Sequence, residues 1–131
     1  MAAVAEKIVE YIRREDGESL ERNLSMSDGE WRLELRYEFN LEKMLETVFG
    51  CDILIPKLIM CDIQTISPFH YSALRGVDSI LERFVLNHQI PVDMCVQSGS
   101  TALHFACFAG MVDTVILLVD RFHADVNRRD R

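Results

Sequence analysis

The chain has 131 residues, of which 49% are hydrophobic and 27% are charged, so it is long enough for one compact domain with a sizeable core. Its formal net charge of −7 disfavours a nucleic-acid partner, because an acidic surface repels phosphate. No stretch is long and apolar enough to predict a membrane span, and residues 1–14 lack the apolar segment of a secretory signal. We therefore expect a cytoplasmic and/or nuclear protein whose cysteines are reduced thiols.

The first elements of the chain are predicted to be helical. Val4, Ile8 and Ile12 recur at a spacing of four residues, which predicts a helix over Val4–Arg14 that Gly17 ends. A second short helical segment is predicted over Glu18–Leu24. The serine, aspartate and glycine residues of segment 25–30 predict a loop.

The segment Trp31–Phe39 alternates apolar and charged residues over nine positions. Strict alternation favours a half-buried strand. A helix would also align Trp31, Leu35 and Phe39, but it would place the remaining apolar residues on a second face. The strand is therefore the preferred prediction.

A helix is predicted again after this segment. Asn40 is a suitable N-cap, and the apolar residues of Leu41–Phe49 share one helical face before Gly50 ends the helix. Residues 53–66 are apolar and contain Pro56, which predicts a loop or a short edge strand.

Two parts of the chain match each other at a constant offset. The segment SPFHYS that begins at Ser67 recurs 34 residues later as TALHFA, which begins at Thr101. The offset also relates Gly76 to Gly110. It relates three pairs of apolar residues: Leu81 and Val115, Phe84 and Leu118, and Val92 and Val126.

The second copy, over residues 99–127, resembles an ankyrin repeat. TALHFA resembles the family's T-P-L-H-x-A motif, Gly110 stands at the turn between the two helices, and the sequence ADVN follows at 124–127. The resemblance is clear over 99–131, degenerate over 67–98 and weaker over 40–66. Residues 1–39 lie outside it and are expected to form a capping segment with a helix and the strand 31–39. The residues that carry the structural motif are Ser67, His70, Gly76, Thr101, His104, Gly110 and Asn127.

This resemblance implies a mainly α fold. The expected architecture is a short ankyrin-repeat solenoid of helix-turn-helix repeats with β-hairpin-like loops, and a divergent N-terminal α/β cap. The chain departs from the family pattern at several positions. Ala102 replaces the usual proline, Arg83 replaces leucine, and Gln89 and His123 replace small residues near the exit glycine.

The resemblance also implies where a partner protein would bind, since the family binds through its loops and the concave face of its first helices. In the degenerate copy the corresponding loop positions are Ile63, Gln64 and Ile66. The residues expected to contact the partner are Leu74, Arg75, Gln97, Ser98, Ser100, Phe108 and Ala109. The alternative is that residues 1–39 fold back and cover Leu74 and Phe108.

No catalytic motif or cofactor site is found in the sequence. The acidic residues Glu15, Asp16 and Glu18 are interpreted as solvated, and Cys51 and Cys61 each precede an aspartate rather than a cation. Cys95, His104 and Cys107 lack the paired spacing of a zinc site, so we expect no metal.

The sequence thus predicts a non-catalytic protein–protein interaction module that acts as an adaptor, an inhibitor or a docking domain. One alternative is a self-assembling structural unit, a homo-oligomer joined through Val112, Val119 and Phe122. Another is the N-terminal regulatory domain of a longer protein or enzyme, with further repeats beyond Arg131.

Overall fold

A computed structural model describes residues 2–26, 34–44 and 54–127 of the chain, and these residues are mainly helical. The first half contains α1 (Ala2–Arg13), α2 (Gly17–Met26), β1 (Phe39–Asn40), α3 (Leu41–Met44), α4 (Leu54–Met60) and β2 (Thr65–Ile66). The second half contains α5 (Pro68–Arg75), α6 (Asp78–Leu86), α7 (Ala102–Ala109) and α8 (Val112–Ile116), which continues as the π-helical turn Leu117–Arg121.

The two N-terminal helices agree with the prediction, but the role assigned to Gly17 was wrong. Gly17 is the first residue of α2, and the chain reverses earlier, where Glu15 adopts a φ of 57°. The carboxylate of Asp16 accepts a hydrogen bond from the main-chain N–H of Ser19 at 3.2 Å, which caps the start of α2. The loop predicted over 25–30 was wrong for Ser25 and Met26, which are the last residues of α2; residues 27–30 lie outside the described part.

The strand predicted over 31–39 was wrong for the residues that the structure describes. Glu34 is helical, Leu35 and Arg36 form a turn, and only Phe39 belongs to a strand. Leu35 and Phe39 are the buried residues of this segment and are four positions apart, whereas Tyr37 between them is exposed. The pattern of burial therefore follows the turn and not the alternation in the sequence. Residues 31–33 lie outside the described part.

The prediction for residues 53–66 was partly wrong. Leu54–Met60 forms a helix, because Pro56 lies in the first turn, where the main chain needs no intrahelical N–H bond. The short edge strand is present as β2. Asn40 caps α3 as predicted, since its Oδ1 accepts from the N–H of Lys43 at 3.2 Å. The predicted end of that helix at Gly50 lies outside the described residues.

The described residues form three helix pairs that are stacked side by side: α1 with α2, α5 with α6, and α7 with α8. In one layer α1 packs on α5, and α5 packs on α7. In the other layer α2 packs on α6, and two side-chain hydrogen bonds join α6 to the last helix: Thr114 to Asp78 at 2.5 Å and Arg121 to Glu82 at 2.8 Å. The pairs share one continuous core, whose largest members include Phe69, Tyr71, Phe84 and Phe105.

The chain between β1 and β2 contributes a segment that precedes α5 and is called the excursion. Its described residues are 41–44 and 54–64. Its base is closed by the antiparallel pair β1–β2, in which Phe39 faces Ile66 and Asn40 faces Thr65. Within it, α3 packs on α4 and on β1. At the corresponding place before α7 there is a tight hairpin, with a bridge between Cys95 and Thr101. No helix in the described part is long and apolar enough to cross a membrane.

Candidate functional site

The start of α5 is held by a chain of hydrogen bonds through the buried ring of His70. The hydroxyl of Ser67 accepts from the main-chain N–H of His70 at 3.3 Å and lies 2.5 Å from Nδ1. Nε2 lies 2.8 Å from the carbonyl oxygen of Met94. Since a carbonyl only accepts, Nε2 carries the hydrogen and Nδ1 accepts from the Ser67 hydroxyl. The predicted structural role of Ser67 and His70 thus corresponds to a cap that also fastens the loop ahead of α7.

Burial controls the protonation of this ring. Complete burial lowers the pKa of His70 to about 4, although the hydrogen bond to Met94 and the nearby charge of Glu38 act in the opposite direction. The ring is therefore neutral at physiological pH. Through its bond to Met94, the ring links α5 to the loop before α7. It is enclosed by the core and is not open to a substrate or a metal.

The start of α7 repeats this arrangement with different atoms. Nδ1 of His104 accepts from the main-chain N–H of Thr101 at 2.9 Å and lies 3.0 Å from the Thr101 hydroxyl oxygen. The two form a reciprocal capping box. The helices α5 and α7 end at the predicted glycines. Gly76 and Gly110 adopt φ values of 68° and 72° and close the helices with left-handed turns. At the exit from the last helix, the N–H of Asn127 donates to Asp125.

The excursion creates two adjoining recesses beside the hairpin that precedes α7. The smaller, of about 300 Å³, is lined by Asp62, Gln64, Gln97 and Ser98. The larger, of about 340 Å³, has buried Leu41 and Ile63 in its wall. Asp62 and Gln64 line both recesses, so the two adjoin each other, and together they are called the groove. The full lining of the larger recess is Asn40, Leu41, Glu42, Ile59, Asp62, Ile63 and Gln64.

Glu38 fixes the two walls of this groove relative to each other. Its Oε1 accepts from the hydroxyl of Thr65 at 2.6 Å and from the main-chain N–H of Gln97 at 2.8 Å. One carboxylate therefore joins β2 to the hairpin that carries Gln97 and Ser98. The rim of the groove carries the carboxylates of Glu42 and Asp62 and the exposed amides of Asn40, Gln64 and Gln97.

The structure separates the predicted contact residues into accessible and inaccessible ones. Arg75 and Gln97 are exposed, and Ser98, Phe108 and Ala109 are partly buried. Leu74 and Ser100 are fully buried, so the prediction that they contact a partner was wrong. Leu74 lies on α5, and α1 packs against this helix. The alternative prediction, in which the N-terminal segment folds back over Leu74, agrees with this packing.

The first-copy loop positions are divided in the same way. Gln64 is exposed and lines the groove, whereas Ile66 is fully buried and Ile63 is nearly so. Sequence reasoning did not single out Glu42 or Asp62 as site residues. The predictions placed Glu42 in a helix and Asp62 in a loop or short strand. No local pattern in the sequence showed that the two residues line the same recess.

In the described residues, the side chains considered for catalysis or metal binding lie at a helix end or at the surface. Asp16 caps α2, and Glu15 and Glu18 are exposed. Cys61, Cys95 and Cys107 are exposed cysteines. Within the described ranges, no set of three histidine, cysteine or carboxylate side chains is placed to hold a metal ion.

Comparison with models of known protein families gives a match over most of the chain. A family model described as ankyrin repeats in three copies matches residues 41–130. No curated protein matches the chain. The matched range begins inside the excursion and leaves out α1 and α2, although these helices pack as the first pair of the stack.

Proposed function

Because the chain belongs to the ankyrin repeat family, whose members are generally protein–protein interaction modules, we propose that it binds a partner protein through the groove between the excursion and the hairpin before α7. Binding would require no chemistry from the chain itself. An adaptor, an inhibitor and a docking domain would all use such a surface.

The observation that carries this proposal is that two recesses lie side by side and share Asp62 and Gln64 in their linings. The walls come from separate parts of the chain and are joined by the bonds of Glu38 to Thr65 and Gln97. A groove that is formed before the partner arrives loses little conformational entropy on binding. It is therefore better suited to recognition than the isolated exposed residues elsewhere on the surface.

The lining of the groove indicates what kind of segment it accepts. Amide side chains such as Gln64 and Gln97 both donate and accept hydrogen bonds, so they can satisfy the main chain of an extended segment. Ile59, which is partly exposed, offers an apolar surface, and Glu42 and Asp62 carry negative charge at the rim. A lysine or arginine side chain suits this combination, because its stem is apolar and its end is cationic. The proposed ligand is thus an extended basic segment of another protein.

The test is capture from cell lysate by the parent chain and by matched variants. The binding-site variant combines Asp62→Asn with Gln64→Ala and Gln97→Ala. Asp62 has a φ of 63°, a conformation that asparagine also tolerates, so this change removes charge with little backbone strain. The control variant is Glu6→Gln, an exposed position on α1.

A partner that the parent and the Glu6→Gln control capture, but the triple variant does not, would support binding at the groove. The bound complex should also become weaker as salt is raised. If the triple variant captures the same proteins with the same salt dependence, the groove is not the binding site.

The other roles considered from the sequence stay proposals of lower rank. A regulatory domain of a longer protein would use the same groove, with the ligand segment supplied by its own chain. The self-assembling unit depends on a different surface, formed by Val112, Val119 and Phe122 in the last helix pair.

A further inference from the structure

The constant offset between the second and third helix pairs identifies the surface on which another helix could be seated. In the second pair, Asp78 and Glu82 on α6 are the residues that bond to the next pair, through Thr114 and Arg121. The residues that correspond to them 34 positions later are Val112 and Ile116 on α8. In the first-helix layer, Ala73 is fully buried, whereas its equivalent Cys107 is exposed. The three residues Cys107, Val112 and Ile116 are called the outer edge below.

The outer edge is apolar at the two positions where the preceding pair is charged. Val112 is 67% exposed and Ile116 is 52% exposed, and they are one helical turn apart. Single exposed apolar residues are ordinary on a protein surface. Two adjacent β-branched residues are less ordinary here, because the equivalent residues of the second pair, Asp78 and Glu82, bond to the next pair. The contrast with Asp78 and Glu82 shows that this edge presents different chemistry from the edge it repeats.

A fourth helix pair with the same residues as the third would not fit this edge. It would place a threonine and an arginine, the equivalents of Thr114 and Arg121, against Val112 and Ile116. Their polar groups would then lose water without gaining a partner, which is unfavourable. The occupant that fits is apolar where it meets the edge.

The charges beside the edge restrict the occupant further. Asp113 and Asp120 are both exposed and lie within one turn of Ile116, on either side of it in the sequence. Two copies of the chain that met edge to edge would bring these carboxylates together, which opposes self-association. Cationic side chains beside an apolar stripe would instead be attracted.

The helix that carries the edge also departs from regular geometry. Its last turn is π-helical: the N–H of Phe122 donates to the carbonyl oxygen of Leu117, five residues earlier, at 3.2 Å. In α6 the corresponding turn is regular, with Asn87 donating to Arg83 at 2.8 Å. Single π-helical turns of this kind are frequent at functional sites. Here the π turn begins directly after Ile116.

From these observations we propose that the outer edge docks an amphipathic helix of a partner protein, with an apolar face bordered by lysine or arginine residues. This is the helix-against-helix form of peptide recognition, anchored by residues one turn apart. The edge and the groove are lined by different residues, so this proposal does not depend on the proposed function of the groove. A protein that used both would hold two segments of partner sequence at once.

The test uses synthetic peptides of leucine and lysine, with binding measured by fluorescence anisotropy. One 18-residue peptide places leucine on a single helical face. A second peptide has the same composition in scrambled order, and a third has the helical order with glutamate in place of lysine. We expect the first to bind more tightly than the other two, because it alone combines the apolar face with positive charge.

Variants of the edge then locate the binding site. Ile116→Gln should weaken binding of the first peptide by about tenfold, since it removes most of the apolar contact that the isoleucine would make once the peptide covers it. Asp113→Asn with Asp120→Asn should weaken it a few-fold and reduce its salt dependence. Leu86→Gln on α6, at a residue that is 55% exposed, and Glu6→Gln on α1, at an exposed residue, should leave binding unchanged.

Three results would overturn the proposal. Equal binding of the ordered and scrambled peptides would mean non-specific attraction to an acidic chain. Binding that Ile116→Gln leaves unaltered would place the peptide elsewhere. A concentration-dependent dimer of the parent, abolished by Ile116→Gln in light scattering, would show that the edge pairs with a second copy. Circular dichroism melts confirm that each variant is folded before it is used.

Discussion

The guanidinium of Arg83 donates a hydrogen bond to the main-chain carbonyl oxygen of Gly17 at 2.8 Å, so a residue of the second helix pair holds the first residue of α2. The approach is close, because a Cβ added at Gly17 would lie 3.2 Å from Cγ1 of Ile80. The arginine that departs from the family's leucine is therefore a tether between the first and second pairs.

Arg83→Leu should loosen α2 even though leucine is the residue that the family prefers. We expect the free energy of unfolding to fall by about 1–2 kcal/mol, because a partly buried, charged hydrogen bond is lost. Amide hydrogen exchange in α2 should quicken more than in α7. Arg22→Leu, at an exposed arginine of α2, is the control and should change little. A variant that is more stable than the parent would contradict the tether.

Acid should destabilise the fold through His70. Its pKa is about 4 in the folded chain and about 6.5 when unfolded, so between these values the unfolded chain binds a proton that the folded chain does not. Stability from this group is complete above pH 6.5 and is lost as the pH falls towards 4. The expected slope is up to roughly 1.4 kcal/mol per pH unit within that window.

His70→Gln tests this contribution, since glutamine keeps a donor but does not titrate. Urea unfolding at several pH values should give a shallower decline for the variant between pH 6.5 and 4. The variant is expected to be less stable than the parent near neutral pH, because the fit of the buried ring is lost. Curves that stay parallel over this range would exclude His70 as the cause.

The two turn glycines offer a matched pair. Gly76 and Gly110 have nearly the same positive φ, so Gly→Ala at either costs about 1 kcal/mol of backbone strain. At Gly76, however, the added Cβ would lie 2.8 Å from Sδ of Met111, whereas nothing lies within 4 Å at Gly110. Gly76→Ala should therefore lower the free energy of unfolding more than Gly110→Ala, by roughly 1 kcal/mol.

Met111→Ala in the Gly76→Ala background should recover part of this difference, because the clash is then removed. Equal costs at the two glycines in urea unfolding would mean that the Met111 side chain moves aside freely.

The exits of the second and third pairs carry strain that can be relieved. Gln89 and His123, which are 34 residues apart, have φ values of 54° and 57°, and both are exposed. Replacing both with glycine should raise the free energy of unfolding by about 1 kcal/mol in total, since the relief of strain exceeds the added entropy of the unfolded chain. A thermal melt should show a higher midpoint.

Asn87→Gly is the control for these exits. Asn87 has an ordinary φ of −92°, so glycine there gains no relief and should destabilise. If glycine lowers the melting temperature at positions 89 and 123 as well, the positive φ values are not a source of strain.

The helix pairs after residue 66 could be predicted from the sequence because their motif residues act locally. Ser67, Thr101 and the two turn glycines set the ends of helices within their own neighbourhood, and the offset of 34 gives their register. Residues 34–39 and 54–66 could not be predicted in this way. Burial there does not follow the alternation in the sequence, since Leu35 in a turn and Phe39 in β1 are buried but Tyr37 is exposed. The β1–β2 pairing joins residues too far apart for any local pattern.

The candidate site was predictable only in part for the same reason. Gln97 and Ser98 follow from their place before a recognisable motif. Their neighbours in space, Asp62 and Glu42, depend on the path of the excursion. Leu74 was predicted to be accessible because the motif alone does not show that α1 packs on α5.

The pairing of β1 with β2 also bears on how this surface can change. Since Asn40 and Thr65 face each other, the chain departs from the stack and rejoins it at one point. The contact of α1 with α5 does not pass through the segment between them. Buried residues of that segment, Leu41, Ile55 and Leu58 among them, belong to the same core as the stacked helices and are not free to change. Exposed residues such as Glu42, Asp62 and Gln64 have no such constraint, so one scaffold could acquire new binding preferences through its rim while its packed interior stays as it is.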